Sequence, residues 1–394
     1  MSLAIRVRRV YTPDMVVEDG VVVLRNGRVS YVGRRVEEAD VVELLDFPDC
    51  ICAPGFIDLH VHGGGGCDFA DGGPDAFRTI CRYHATGGTT SLLATIWASP
   101  IDHTFKVLET SRRCMGEVGR GAEPLGVHLE GPFLNPEKHG AHSAEYLKTP
   151  SRELVEAFLE YVDVVKRITL APELEGGVEA VKAFSSSGVM VSIGHSTAPY
   201  DVVEEAYSAG LSHATHLYNA LGTAFKRGVY RIPGALESVL ALDGITGELI
   251  ADGVHVHPTL IEVAVKVKGY EKLCLVTDAM RAAGMPDGVY KLGSPLYAPD
   301  AVVKNGISYT RDMKALASTT IRMIDAVKLM VRLGHPLKRV LSMASSVPAR
   351  LIGVSRRKGC LRPGFDGDLV ALDERLDVML TVVKGQVVYR KPTS

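Results

Sequence analysis

Eight short apolar runs recur through the middle of the chain, at 55–60, 89–96, 125–130, 167–173, 189–195, 212–216, 248–252 and 273–278. They lack an amphipathic period, and continuous apolar runs of this length suit parallel strands buried on both faces. Helix starts and stops lie between them. Pro74-Asp75-Ala76-Phe77 opens one, and Thr149-Pro150-Ser151 precedes another over 154–161. Further segments run from Pro199 to a stop at Gly210 and from Pro258 to a stop at Gly269. Eight runs with helical connections predict an α/β fold of the (β/α)8 barrel type. The two ends of the chain have another texture. Residues 5–10, 21–24 and 29–32 alternate as strands around the hairpin turn Asn26-Gly27, and 369–372, 379–383 and 387–389 do the same around Lys384-Gly385. This predicts one small β domain assembled from both termini.

The 394 residues are 46% hydrophobic and 23% charged, which excludes intrinsic disorder. Lys plus Arg is 44 against 46 for Asp plus Glu, a formal charge of −2, so no whole-molecule field holds a nucleic acid or an anionic bilayer. Residues 83–101 lack Asp, Glu, Lys and Arg but carry polar residues, glycines and a proline, which is wrong for a membrane span. Seven cysteines without a CxxC pair read as reduced thiols, and the expected location is the cytoplasm.

The chemistry sits where the apolar runs stop. Six of the eight end in a metal ligand or general base: His60 with His62, Glu130, His195, His216, Asp278, and Asp252 just before His255. In a parallel barrel these ends share one face, where catalytic residues gather. Strand period places His60 and His62 on one side, as a chelating pair or as strand-end histidines bonded to a loop. Glu130, a carboxylate inside an apolar strand, needs a metal, a hydrogen bond or a salt bridge. Glu130, His195 and His216 together form the one-carboxylate, two-imidazole set expected of a catalytic zinc. An extended strand would turn His213 away from the side that His216 faces. Asp278 fits a general base beside a metal-bound water, or equally an N-cap.

Other features read differently. Gly194-His195-Ser196-Thr197-Ala198 imitates a hydrolase nucleophile elbow, but a base adjacent in sequence does not suit that geometry. The run 63–66 lacks the GK[ST] of a phosphate loop and reads as a flexible loop admitting substrate. His255 and His257 lie in a loop and suit substrate contact. Lys226, Arg227 and Arg231 form a cluster that attracts an anion or serves as a solvated surface loop.

The ordered motifs APGFIDLHVHG, HLEGPFLNPEKHGAH, GHSTA, ATHLYNA, IADGVHVHP and LVTDAM resemble the N-acetylglucosamine-6-phosphate deacetylases of the amidohydrolase superfamily through residues 53–280. The resemblance implies a barrel over 54–357 and a small β-sandwich domain from 1–53 and 358–394. It implies that Glu130, His195 and His216 bind the main divalent ion, zinc first with iron, manganese or cobalt as alternatives. A second ion, on His60 and His62 and bridged by Glu130, is also implied. Asp278 becomes base and then acid, His142 polarises the acetamide carbonyl, and Asn219, Ala220 and His255 contact the substrate. The substrate is a phosphorylated amino sugar, N-acetylglucosamine 6-phosphate or a related N-acyl sugar such as N-acetylgalactosamine 6-phosphate. A phosphate arginine, Arg227 or Arg231, reaches into a neighbouring subunit, which implies a homodimer. Two segments depart from the family pattern: Arg231-Ile232-Pro233-Gly234, with Ile for the usual Glu, and 312–318, where a glycine-bearing segment is usual near the acetyl group.

Overall fold

The computed structural model describes residues 2–35, 43–116 and 121–392. Residues 1, 36–42 and 393–394 of the expected small domain, and 117–120 of the expected barrel, lie outside the described residues. All eight apolar runs are strands: Phe56–Val61, Thr89–Trp97, Glu123–Glu130, Val165–Leu170, Met190–Ile193, His213–Ala214, Thr246–Ile250 and Leu273–Val276. They pair in parallel and in chain order within one sheet. The first and last strands meet: the Asp278 N–H donates to the His60 carbonyl at 2.8 Å, and Val61 bridges Ala279 in parallel. This closes the barrel. Phe56–Val61 and Thr89–Trp97 are buried at every position, because helices cover the outside and side chains fill the inside. The helices start and stop where their punctuation demands. Pro74–Ala85 and Pro258–Lys268 carry proline in the first turn, and Tyr200–Ala209 ends at Gly210 with φ 116°.

The two ends of the chain build one seven-stranded sheet. Its order is Gln386–Arg390, Val378–Val383, Leu369–Leu372, Glu43–Pro54, Ser2–Tyr11, Val16–Arg25, Arg28–Gly33. Both predicted turns have two left-handed residues, Asn26 and Gly27 at φ 50° and 77°, Lys384 and Gly385 at 45° and 75°. The strand Glu43–Pro54, which the alternation does not predict, joins the ends by pairing parallel with Ser2–Tyr11 and antiparallel with Leu369–Leu372. Alternation along it divides two cores: Cys50 and Cys52 join Ile5, Leu24 and Leu380, whereas Ile51 and Ala53 pack into the barrel cluster. Where a sandwich is expected, the chain ends form a single seven-stranded sheet with its own buried cluster, which includes Ile5, Leu24, Cys52 and Leu380. Its outer strand returns to the other end of the chain, the Val29 N–H donating to the Phe365 carbonyl at 2.8 Å.

One expectation is corrected. The glycines at 63–66 are not a flexible entrance but a packed hairpin, Gly63–Gly64 pairing with Cys67–Asp68. The Gly63 N–H donates to Ala279 O at 2.9 Å, and a Cβ on Gly63 would lie 2.4 Å from Cys67 O and 2.8 Å from Arg281 N. Glycine is required there by close backbone approach.

An ionic cluster ties the sheet to the barrel. The Lys358 ammonium, fully buried, meets Glu123 of the third barrel strand at 2.6 Å, with Asp366 and Asp368 beside it, and Lys384 reaches Glu123 at 2.8 Å. Glu123, Asp366 and Asp368 resemble a metal-binding carboxylate group, but the ammonium fills their centre. Replacing Lys358 with Met strands these carboxylates in a buried site and should cost about 3–5 kcal/mol. The denaturant midpoint measures this, and an unchanged midpoint removes the cluster as a tie.

Candidate metal centre

The strand ends converge on Glu130, the last residue of its strand, and its two oxygens are divided. Oε1 lies 3.2 Å from His195 Nε2 and 3.1 Å from His216 Nε2. Oε2 lies 3.1 Å from His62 Nε2, 3.4 Å from His60 Nε2 and 3.4 Å from His142 Nε2. Asp278 Oδ1 completes the second side, 3.4 Å from His60 Nε2 and 3.3 Å from His62 Nε2. Two ligand groups result, Glu130–His195–His216 and His60–His62–Asp278, the donor atoms of each within 4.8 Å of one another. One carboxylate thus stands between two groups of donors.

Hydrogen bonds behind the histidines fix their protonation. His60 Nδ1 lies 3.1 Å from Glu248 Oε2, and His195 Nδ1 lies 2.8 Å from the Lys138 carbonyl oxygen. These oxygens only accept, so each Nδ1 carries hydrogen, and Nε2 is the nitrogen turned toward Glu130, where a bound cation would take the place of a proton. His60 and His62 Nε2 are 3.2 Å apart, as are His195 and His216 Nε2. Nitrogen donors this close, facing carboxylate oxygens, repel unless a cation joins them. The electrostatics agree. Burial works against charge on His60, yet Glu130, Asp278 and Glu248 outweigh it and raise that imidazole well above its usual range. Burial alone would raise Glu130, but His60 and His142 hold it well below the usual carboxylate range. The donors fit a divalent ion with positions left for water.

Backbone turns aim these ligands. His195, His216 and Asp278 have φ of 50°, 28° and 48°, each leaving the strand through the left-handed region. This corrects the extended-strand picture around His213: the strand ends at Ala214, and His213 is buried outside the centre, with Nδ1 2.6 Å from Thr246 Oγ1.

A cavity of about 390 Å³ opens above the ligands, lined among others by Glu130, His142, His195, His216, Asn219, Ala220, His255 and Asp278. His142 Nδ1 accepts from the Ala98 N–H at 3.4 Å, so Nε2 carries the hydrogen. Burial drops its pKa to about 4, leaving a neutral donor at pH 7. His255 Nδ1 lies 2.7 Å from Asp252 Oδ2, and the Asn219 amide donates to His216 O at 3.3 Å. His257 accepts the Thr259 N–H at a helix start and is not among the residues lining this cavity. Arg227 and Arg231 are also outside this lining. They sit on the exposed hairpin Phe225–Arg227 and Tyr230–Ile232, whose turn leaves Val229 88% exposed. Ser196 is buried and donates to Glu173 Oε2 at 2.7 Å rather than to a histidine, so it is no triad nucleophile.

Several supporting residues escaped the sequence reading. Glu248 accepts from Arg167, from His60 Nδ1 and from the His216 N–H at 3.0 Å, touching a ligand of each group. Asp58 accepts from Thr277 Oγ1 at 2.6 Å and the His60 N–H at 3.2 Å, locking the last strand to the first. Trp97 stacks on His62, centroids 3.9 Å apart. A charge within an apolar run, the signal at Glu130, is equally present at Arg167 and Glu248 and identifies that pair.

Strand-end carboxylates and imidazoles around a closed parallel barrel, with space for water, define a metal-dependent hydrolase. The chain belongs to the amidohydrolase family, whose model matches residues 51–388, and within it to the N-acetylglucosamine-6-phosphate deacetylases. It is 32% identical to N-acetylglucosamine-6-phosphate deacetylase of Bacillus subtilis (strain 168), over 98% of this chain and 97% of that one. It is 33% identical to N-acetylgalactosamine-6-phosphate deacetylase of Escherichia coli O157:H7, over 98% and 99%. The crystal structure of N-acetylglucosamine-6-phosphate deacetylase from Pasteurella multocida superposes with a TM-score of 0.91 at 32% identity, covering 99% of this chain and 100% of that one.

The shared carboxylate makes a specific demand on metal content. Glu130→Gln should lower zinc retention at both groups, whereas His195→Asn should empty one and spare the other. Elemental analysis after equilibration with zinc and gel filtration measures this. Equal content in wild type and Glu130→Gln would refute the shared position.

Proposed function

We propose that this enzyme hydrolyses N-acetylglucosamine 6-phosphate to glucosamine 6-phosphate and acetate. The observation that carries the reading is Glu130, with one oxygen on each ligand group, at the base of a cavity that also holds Asp278, His142 and His255. Glu130, His195 and His216 would hold a divalent ion, which would supply Lewis acidity toward water and an amide carbonyl. Zinc is the first choice, with iron, manganese and cobalt also suited to these donors, and His60 and His62 provide for a second ion. Asp278 takes the proton of the attacking water and delivers it to the departing amine. His142 donates from Nε2 to the developing oxyanion, a contribution of about 3 kcal/mol for one such donor. Asn219, Ala220 and His255 hold the sugar, His255 oriented by Asp252.

The phosphate falls to Arg227 or Arg231, with Arg231 preferred. Their exposed hairpin leaves this chain's own cavity and suits insertion into a second copy, so the enzyme is read as a homodimer. The barrel, 54–357, carries the chemistry and the sheet from 1–53 and 358–394 is read as a separate small domain. The seven cysteines form no disulfide among the described residues, consistent with a cytoplasmic enzyme. Among the described residues no helix is long and apolar enough to cross a membrane.

Acetate release from N-acetylglucosamine 6-phosphate, before and after chelation and against the unphosphorylated sugar, tests the reading. Release requiring both metal and phosphate is expected. The same assay on N-acetylgalactosamine 6-phosphate tests the alternative amino sugar. Asp278→Asn should lower turnover by about 10²–10⁴, and near-normal turnover would remove Asp278 as base. Arg231→Ala should raise KM for the phosphorylated sugar alone. If Arg227→Ala does so instead, the phosphate contact moves to Arg227.

A further inference from the structure

Beside Asp278 the cavity is walled by Ala315, Leu316 and Ser318, in the segment that departs from the glycine-bearing family pattern. Backbone bonds join this segment to the end of the last barrel strand. The Thr319 N–H donates to Asp278 O at 2.9 Å, and the Met280 N–H donates to Thr319 O at 2.9 Å. Within this seam Ser318 has φ 56°, a left-handed conformation that glycine adopts freely and serine does not. Its side chain is buried, and its hydroxyl lies 3.1 Å from Asp278 Oδ1. The carboxylate can only accept, so the hydroxyl donates. Asp278 Oδ1 is also the oxygen facing His60 and His62, whereas Oδ2 takes none of these contacts.

We propose that Ser318 is a positioning residue for Asp278: its hydroxyl fixes Oδ1 against the His60–His62 side so that Oδ2 is held ready for the proton transfer. A side chain in a backbone conformation that disfavours it, bonded to the proton-carrying carboxylate, is the kind of local strain that gathers at working sites. The inference rests on Asp278 as general base, and the test separates the two. Ser318→Gly removes hydroxyl and strain together, and Ser318→Ala removes the hydroxyl alone. Both are assayed on N-acetylglucosamine 6-phosphate, in wild-type and Asp278→Asn backgrounds, with thermal midpoints recorded.

In the wild-type background kcat should fall about tenfold in both variants, the size of one hydrogen bond to a charged group, with KM within about twofold. Ser318→Gly should melt no lower than wild type. It suits the left-handed backbone, so it decides the matter even if Ser318→Ala is unstable. In the Asp278→Asn background neither substitution should lower the residual rate further. Wild-type kcat in Ser318→Gly overturns the inference, as does an equal loss in the Asp278→Asn background or a change confined to KM. Those results leave Asp278 as base intact. Near-normal turnover of Asp278→Asn alone overturns both.

Discussion

A carboxylate shared by two groups of imidazoles is the constraint on which the rest of this structure depends. Glu130 places one oxygen on His195 and His216 and the other on His60 and His62. Such a charge in a barrel interior is tolerable only if positive charge is supplied on both sides. The imidazoles supply it when protonated and a bound cation does so better, because a cation leaves every Nε2 lone pair with a partner. Each strand end must then hold its ligand within a few tenths of an ångström of a common point.

The layer beneath the cavity meets that demand. Arg167 and Glu248 form a fully buried ion pair; Arg167 also donates to Ser192 at 2.9 Å and to Thr215 at 2.8 Å. Glu248 passes this rigidity to His60 through Nδ1 and to His216 through its backbone N–H. One side-chain network therefore sets a ligand in each group, from strands on opposite sides of the closure. Asp58 plays the complementary part at the closure, where Thr277 and His60 meet on its oxygens. Burial raises its pKa to about 7, so this carboxyl is protonated more readily than an ordinary aspartate. Asp278 stays below the usual range even though burial opposes it, because His60 and His62 stand beside it. Neighbouring carboxylates are thus given different acidities by what each one faces.

What could be read in the sequence was what depends on local patterning. All eight barrel strands were visible because both of their faces are buried, and both hairpin turns were visible because left-handed pairs restrict residue choice. The ligands could be read because a polar residue ending an apolar run is conspicuous. Glu43–Pro54 was hidden, since its first half is mostly exposed, with only Leu45 buried there, and continuous burial is confined to Cys50 to Pro54. The glycines at 63–66 misled because a glycine run looks the same whether it serves flexibility or close packing. Arg227 and Arg231 stayed ambiguous because they sit on an exposed hairpin outside the lining of the cavity, a placement no local pattern reveals.

The backbone explains why the site's geometry could not be read along with its composition. Among the described residues, His195, His216, Ala220, Asp278 and Ser318 all have φ between 28° and 56°, and all line one cavity. Each costs about 1–3 kcal/mol relative to a relaxed backbone, and nothing in the local sequence signals it. That cost is borne by the surrounding fold, through the buried strands, the Arg167–Glu248 pair and the backbone seam from Asp278 to Thr319. Relaxing any of these residues to an extended conformation would carry its side chain past the convergence point. Strain at the strand ends and convergence of the donors are therefore one property: the barrel holds five residues where the chain alone would not, and the site exists only while it does.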